Sequence, residues 1–278
     1  MRKFYLEADN GLRYDFQNPK KCILESPTGL GFSKTNTYEK VGETFLKNSS
    51  DSNQKNITGI LHFTGDYYKN FQEFANFIKT YADYKLIYEI NNTEYFIDVD
   101  IQELTKSDSQ RANMLSCNIS FLTKTLFYKK IKNNYFLSTP EDCSKWNVKF
   151  DFFMIDDIPA IIDVKNEGHT DSSFDFELIG PLVNPTLKFI KDNKVINSIE
   201  FKVNLGSEEK LLYSNRDNNL YVIKINSNGI EEKALDCLDL KNDNFMKIPK
   251  GMTKLSFTAE NTSVSKLTLN VYEEYEIV

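Results

Sequence analysis

Apolar residues spaced two apart recur along almost the whole chain, and that is the period a β-strand imposes by turning successive side chains to opposite faces. Phe4 and Leu6 open the pattern, and Leu12, Tyr14 and Phe16 resume it after Asp9-Asn10-Gly11, a turn sequence suited to hairpins. Ile57, Leu61 and Phe63 share one side of a further strand, and Lys85–Ile90 and Tyr95–Ile101 flank the turn-forming Asn91-Asn92. The segment Met114–Phe127 follows, with Cys117 alternating among Leu115, Ile119 and Phe121, so its thiol reads as a small apolar core group.

One segment breaks the period. Across 66–82, Tyr67, Phe71, Phe74, Ala75, Ile78 and Tyr81 recur at steps of three and four, which predicts a helix with an apolar stripe that can lie across a sheet. Asp66 stands where a capping carboxylate is expected. Residues 128–145 then mix lysine, asparagine and proline and predict a boundary.

Beyond it the alternation becomes almost unbroken. Trp146, Val148, Phe150, Phe152 and Met154 form one set, and Phe174, Phe176 and Leu178 another. Ile199, Phe201, Val203 and Leu205 follow, then Tyr221, Ile223 and Ile225, then Leu255 and Phe257, and last Leu267, Leu269 and Val271. Eight or more short strands with frequent turns predict a two-sheet sandwich or jelly roll. The fold class is therefore mainly β: a β-rich domain with one helix over 1–130, a linker over 131–145 and a β-sandwich domain over 146–278. A chain of 278 residues is long enough for two such cores.

Charge and cysteines narrow the function classes. The net charge is −6, and both signs are scattered. Lys20-Lys21 and Lys129-Lys130 with Lys132 are too small to form the basic stripe that grips nucleic acid, so no nucleic-acid specificity is expected. No run reaches the roughly 18 apolar residues of a membrane span, and the N-terminal residues lack a signal-peptide core. Cys22, Cys117, Cys143 and Cys237 lie far apart, and so do His62 and His169, leaving no zinc pattern and favouring thiols in a reducing cytoplasm. Glu167, His169 and Asp171 lack a nucleophile and a fixed geometry, and read as an exposed loop. Asp156, Asp157 and Asp163 lack calcium-loop spacing, and Gly29 and Gly31 complete no phosphate cradle. No catalytic residue, metal or cofactor is expected, and the chain does not read as an enzyme.

Short strings in both halves resemble the phage distal tail protein family. Leu30-Gly-Phe-Ser-Lys-Thr-Asn-Thr-Tyr38, Val41-Gly42 and the strand Ile57–Phe63 are similar to its N-terminal region, and the helix with Tyr68, Phe71, Phe74 and Phe77 matches in position. Ile119-Ser-Phe121 leading into Thr125-Leu-Phe-Tyr128 resembles the closing strand, although many relatives carry tryptophan where Phe127 stands. In the second half, Gly180-Pro-Leu-Val-Asn-Pro185, Asn204–Glu208 with Leu211–Arg216, and Phe245 with Ile248–Gly251 and Leu255–Thr258 resemble a galectin-like sandwich.

That resemblance implies a hexameric hub between the tail tube and the baseplate or tip. Its partners would be copies of itself, the tube protein, tip or baseplate proteins and a receptor-binding protein. Its place would be the virion tail or a tail-like particle such as a bacteriocin, made and assembled in the bacterial cytoplasm. Phe32 and Tyr38, and Asp51 and Asn53 in a polar 48–56 loop, are the expected assembly contacts. The alternative is a carbohydrate- or host-surface-binding accessory module, with Trp146 as its sugar contact.

Overall fold

A computed structural model describes residues 2–106, 114–138, 160–239, 241–260 and 264–278. The chain is mainly β, and it divides into two compact units: Met1–Lys129 with Tyr275–Val278, and Lys130–Glu274.

The first unit runs β1 (Arg2–Ala8), β2 (Arg13–Asp15), β3 (Gln17–Asn18), β4 (Cys22–Thr28), β5 (Lys34–Val41), β6 (Thr44–Ser52) and β7 (Asn56–Phe63). Then come α1 (Tyr67–Thr80), β8 (Tyr84–Ile90), β9 (Thr93–Lys106), β10 (Leu115–Thr123) and the start of β11 (Phe127–Ser138). Except for β5 and β6, its strands form one curled antiparallel sheet in the order β2-β1-β8-β9-β10-β7-β4-β3, with the start of β11 also beside β9. Phe16 draws the two ends of the sheet together, donating its N–H to the Phe4 carbonyl at 3.0 Å and accepting from the Leu24 N–H at 2.8 Å. The β8–β9 connection is the two-residue turn Asn91-Asn92, both residues at positive φ, as a tight hairpin requires.

The alternating residues account for the core. Phe4, Leu6, Phe16, Ile57, Leu61, Phe63, Cys117, Ile119 and Phe121 are all buried. Helix α1 lays Phe74 among them, with ring centroids 4.9 Å from Tyr14 and 5.8 Å from both Phe16 and Phe63. The helix is shorter than 66–82, and Asp66 occupies the N-cap without a side-chain cap bond. The polar work at this end falls to Asn70, whose amide donates to the carbonyls of Thr64 at 2.8 Å and Lys20 at 3.3 Å.

The second unit continues with β12 (Ala160–Asn166), β13 (Ser173–Ile179), β14 (Leu182–Lys191), β15 (Lys194–Glu200), β16 (Asn204–Leu205) and β17 (Lys210–Arg216). It ends with β18 (Asn219–Ile225), β19 (Glu231–Lys233), β20 (Gly251–Glu260) and β21 (Val264–Tyr275). One sheet is ordered β19-β18-β17-β13-β21-β11 and the other β12-β20-β14-β15, with β16 beside β14. Their facing side chains, among them Phe174, Phe176, Leu178, Tyr213, Phe189, Phe257 and Leu269, form a single core, which makes the unit a β-sandwich. Gly180, in the turn into β14, sits so close to its neighbours that a Cβ there would lie 2.2 Å from the Gly206 carbonyl oxygen.

Residues 131–138, expected as linker, are strand, because β11 continues into the second unit beside β21. Positions 139–145 and the expected strand from Trp146 to Met154 lie outside the described residues. The last four residues, expected with the sandwich, belong to the first unit.

Candidate functional site

Residues 48–56, expected as a polar loop, are mostly strand: β6 pairs with β5 as a two-stranded sheet that joins neither core. No residue of either strand is fully buried. A strand without a buried face is under no pressure to alternate, which is why polar residues fill the base of this hairpin and conceal it in the sequence.

Its root is fixed from both sides. Gly29 ends β4 at φ +84°, where a Cβ would lie 2.2 Å from the Asn56 carbonyl oxygen, so only glycine lets the chain leave the sheet beside its point of return. Just inside the sheet, the Thr28 and Thr58 hydroxyls bond at 2.7 Å. Asn53 closes the base: its N–H donates to the Ser33 carbonyl at 2.9 Å, its amide to the Ser33 hydroxyl at 3.1 Å, and its side-chain oxygen accepts from Thr35 at 2.8 Å.

Glu276, 224 positions from Ser52, completes the brace. Its carboxylate pairs with Lys34 at 3.1 Å and accepts from the Ser52 hydroxyl at 3.0 Å. Lys55 donates to the Glu276 carbonyl and lies 5.5 Å from the Phe127 ring centroid. Burial lowers the Lys55 pKa, and the charge of Glu276 works against that shift. Tyr275 meets the Tyr95 ring edge-on at 5.4 Å, which anchors the tail.

At the far end Gly42, at φ 63°, begins the tight Gly42-Glu43 turn. Around it large apolar side chains stand in solvent: Phe45 is 66% exposed, Tyr38 57%, Leu46 54% and Val41 53%. Phe32, before the base, is 57% exposed under the Lys34 ammonium, 5.7 Å from the ring centroid. An isolated hairpin is marginal in water, and clustered exposed apolar groups mark a contact surface.

Of the expected contacts, Tyr38 is thus exposed in this arm and Phe32 just before its base. Asp51 is exposed too and accepts from Ser49 at 3.2 Å, while Asn53 is committed to the base. Sequence reasoning does not reach Phe45, Leu46 and Glu276. The Gly42 turn signal, with Phe45 and Leu46 just after it, is the clue to the tip; nothing local marks Glu276.

The other sequence candidates are held in separate places. The Glu167 N–H donates to the Glu273 carboxylate at 2.9 Å, the His169 N–H to the Glu274 carbonyl at 2.7 Å, and Asp171 accepts from the Lys250 N–H at 3.3 Å. These bonds fix a turn. Trp146, Asp156 and Asp157 lie outside the described residues, and Asp163 stands exposed on β12. Among the described residues, no group of three His, Cys, Asp or Glu side chains could hold a metal ion, and no helix is long and apolar enough to cross a membrane.

Solved structures share this architecture from end to end. A chain of the phage P2 baseplate, in its activated conformation with Ca, superposes with a TM-score of 0.71 at 17% identity, covering 100% of both chains. The Dit protein of phage SPP1, described as a paradigm of the hub adsorption apparatus in phages infecting Gram-positive bacteria, gives 0.62 at 11% identity, covering 96% of this chain and 98% of that one. The fold is therefore the one found in phage baseplate and tail-hub proteins. No curated protein matches at the level of sequence. Residues 3–124 match the family model of the distal tail protein, N-terminal domain. The first unit therefore carries a match to the N-terminal domain of the distal tail protein family.

Proposed function

We propose that this chain is the hub of a phage-type tail tip, a ring of six copies joining the tail tube to the baseplate. The observation that carries the reading is the β5–β6 arm, which exposes Tyr38, Val41, Phe45 and Leu46 outside any core. Such a surface costs free energy in water and is relieved when a partner covers it. The match of residues 3–124 to the distal tail protein N-terminal domain supports the tail location, and the baseplate and hub likenesses support the fold's suitability for it.

In this reading the first unit contacts its own copies and the tube and tip proteins. The second braces the baseplate or carries a receptor-binding protein. The role is mechanical and needs no bond chemistry. Phe32, Tyr38 and Asp51 remain the proposed contacts from the sequence, with Phe45 and Leu46 added and Asn53 as the residue that shapes the arm.

The test is the mass and symmetry of the assembled full chain, by light scattering and electron microscopy with tube and tip proteins present. A closed ring of six is expected, and persistent monomers would refute it. Phe45→Ser should change monomer stability by no more than about 0.5 kcal/mol, because the side chain is exposed. It should weaken association by about tenfold or more if Phe45 is an interface anchor.

A further inference from the structure

The two faces of the arm differ in chemistry. Directly opposed residues of an antiparallel pair share a face, and the register pairs Tyr38 with Lys47, Glu39 with Leu46, Lys40 with Phe45 and Val41 with Thr44. One face of the tip therefore carries Tyr38, Phe45, Lys40 and Lys47, each aromatic ring opposite a cation. The opposite face carries Glu39, Val41, Leu46 and Thr44, two aliphatic side chains beside an anion. A register shift between Thr37 and Tyr38, where Thr37 faces Ser49 but Tyr38 faces Lys47, leaves Asn48 unpaired. Such a bulge twists the strand locally and sets the tip off from the base.

These charges are uncommitted: among the described residues, Glu39, Lys40 and Lys47 form no ion pair within the chain. Both faces have apolar centres in solvent, so a partner covering one would leave the other wet. A copy of the same arm supplies the opposite face of opposite charge, and contacts between unlike patches repeat around a ring until it closes.

We propose that the arms of successive copies stack face to face, the Tyr38/Lys40/Phe45/Lys47 face of one copy on the Glu39/Val41/Leu46 face of the next. This rests on the self-assembly proposed above and names the partner of its contact surface. Lys40 and Lys47 then meet Glu39 of the neighbour, and the rings lie over Val41 and Leu46.

Two full-length variants test it by sedimentation velocity. Glu39→Lys makes both faces cationic, and Lys40→Glu with Lys47→Glu makes both anionic. Each alone should lose association by at least tenfold, with its melting temperature unchanged because the positions are exposed. Mixed in equal amounts they should assemble to within a few-fold of wild type, since cationic and anionic copies can alternate. Association of either variant at wild-type strength, or a mixture no better than its components, would overturn the stacking. In either case a wild-type chain that still forms rings would leave the hub reading standing, with strand-edge pairing or another tail protein as the occupant of the arm. Wild-type monomers in the presence of tube and tip proteins would overturn both.

Discussion

Tyr213→Ala is expected to destabilise the second unit by about 3–5 kcal/mol, the usual range for emptying a large aromatic site in a core. Tyr213 is fully buried on β17. Its ring stacks on Phe176 at 4.8 Å, Phe174 at 5.5 Å and Phe245 at 5.9 Å, and meets Phe201 edge-on at 5.8 Å. Truncation removes a shared neighbour from β13, from Phe201 just beyond β15 and from the 245 segment together, so the cavity cannot be closed by moving one strand. The hydroxyl donates to the Asn244 carbonyl at 2.6 Å. Tyr213→Phe keeps the ring but deletes that bond, at a cost of about 1–3 kcal/mol for a buried group left unsatisfied. Hydrogen exchange resolved by peptide reads each unit separately. Loss of protection should fall on 160–274, and a Tyr213→Ala loss below about 1 kcal/mol would show that the cluster is not what holds the sandwich.

Gly29→Ala should damage the first unit although it adds a single methyl group. The backbone there is left-handed, which costs a residue with a Cβ about 1–2 kcal/mol. The new Cβ also overlaps the Asn56 carbonyl oxygen, a backbone atom that can yield only if β4 and β7 part. The combined loss should exceed about 2 kcal/mol and should displace the arm, so association falls along with stability. Gly31→Ala is the matched control. Nothing lies within 4 Å of the point its methyl group would occupy, so it should be neutral or stabilising by up to about 1 kcal/mol through the unfolded chain. Denaturant titrations of the two variants side by side decide the matter: equal effects would mean that the close approach at Gly29 is not real.

The same pair shows how far the sequence can be read. Thr28–Ser33 announces a bulge or a close approach, and the ladder does shift between Glu25 and Thr28. Which glycine faces a backbone atom depends on Asn56, 27 positions away, and no local pattern carries that. Wherever a face is buried the period survives: Ile57, Leu61 and Phe63 line the first core as their spacing predicts, and Phe174, Phe176 and Leu178 line the second. The arm escapes for the converse reason, since with nothing to bury its strands look like loop. Phe32 and Tyr38 are legible as aromatic residues with open roles, whereas Phe45 and Leu46 need the register before they acquire a face. Asp66 illustrates a local rule displaced by a tertiary one: it takes the N-cap position that the sequence predicts, but Asn70 makes the side-chain bonds.

The brace at Glu276 bears on how copies come to be made. Translation delivers the arm early and its clamp only after all of Lys130–Glu274 has been synthesised. A chain still on the ribosome at that stage therefore carries an arm whose Lys34, Ser52 and Lys55 have no Glu276 to hold. Interruption anywhere in the second unit leaves the same defect permanently. An incomplete copy thus lacks the contacts from Glu276 to Lys34, Ser52 and Lys55 that brace the base of its hairpin.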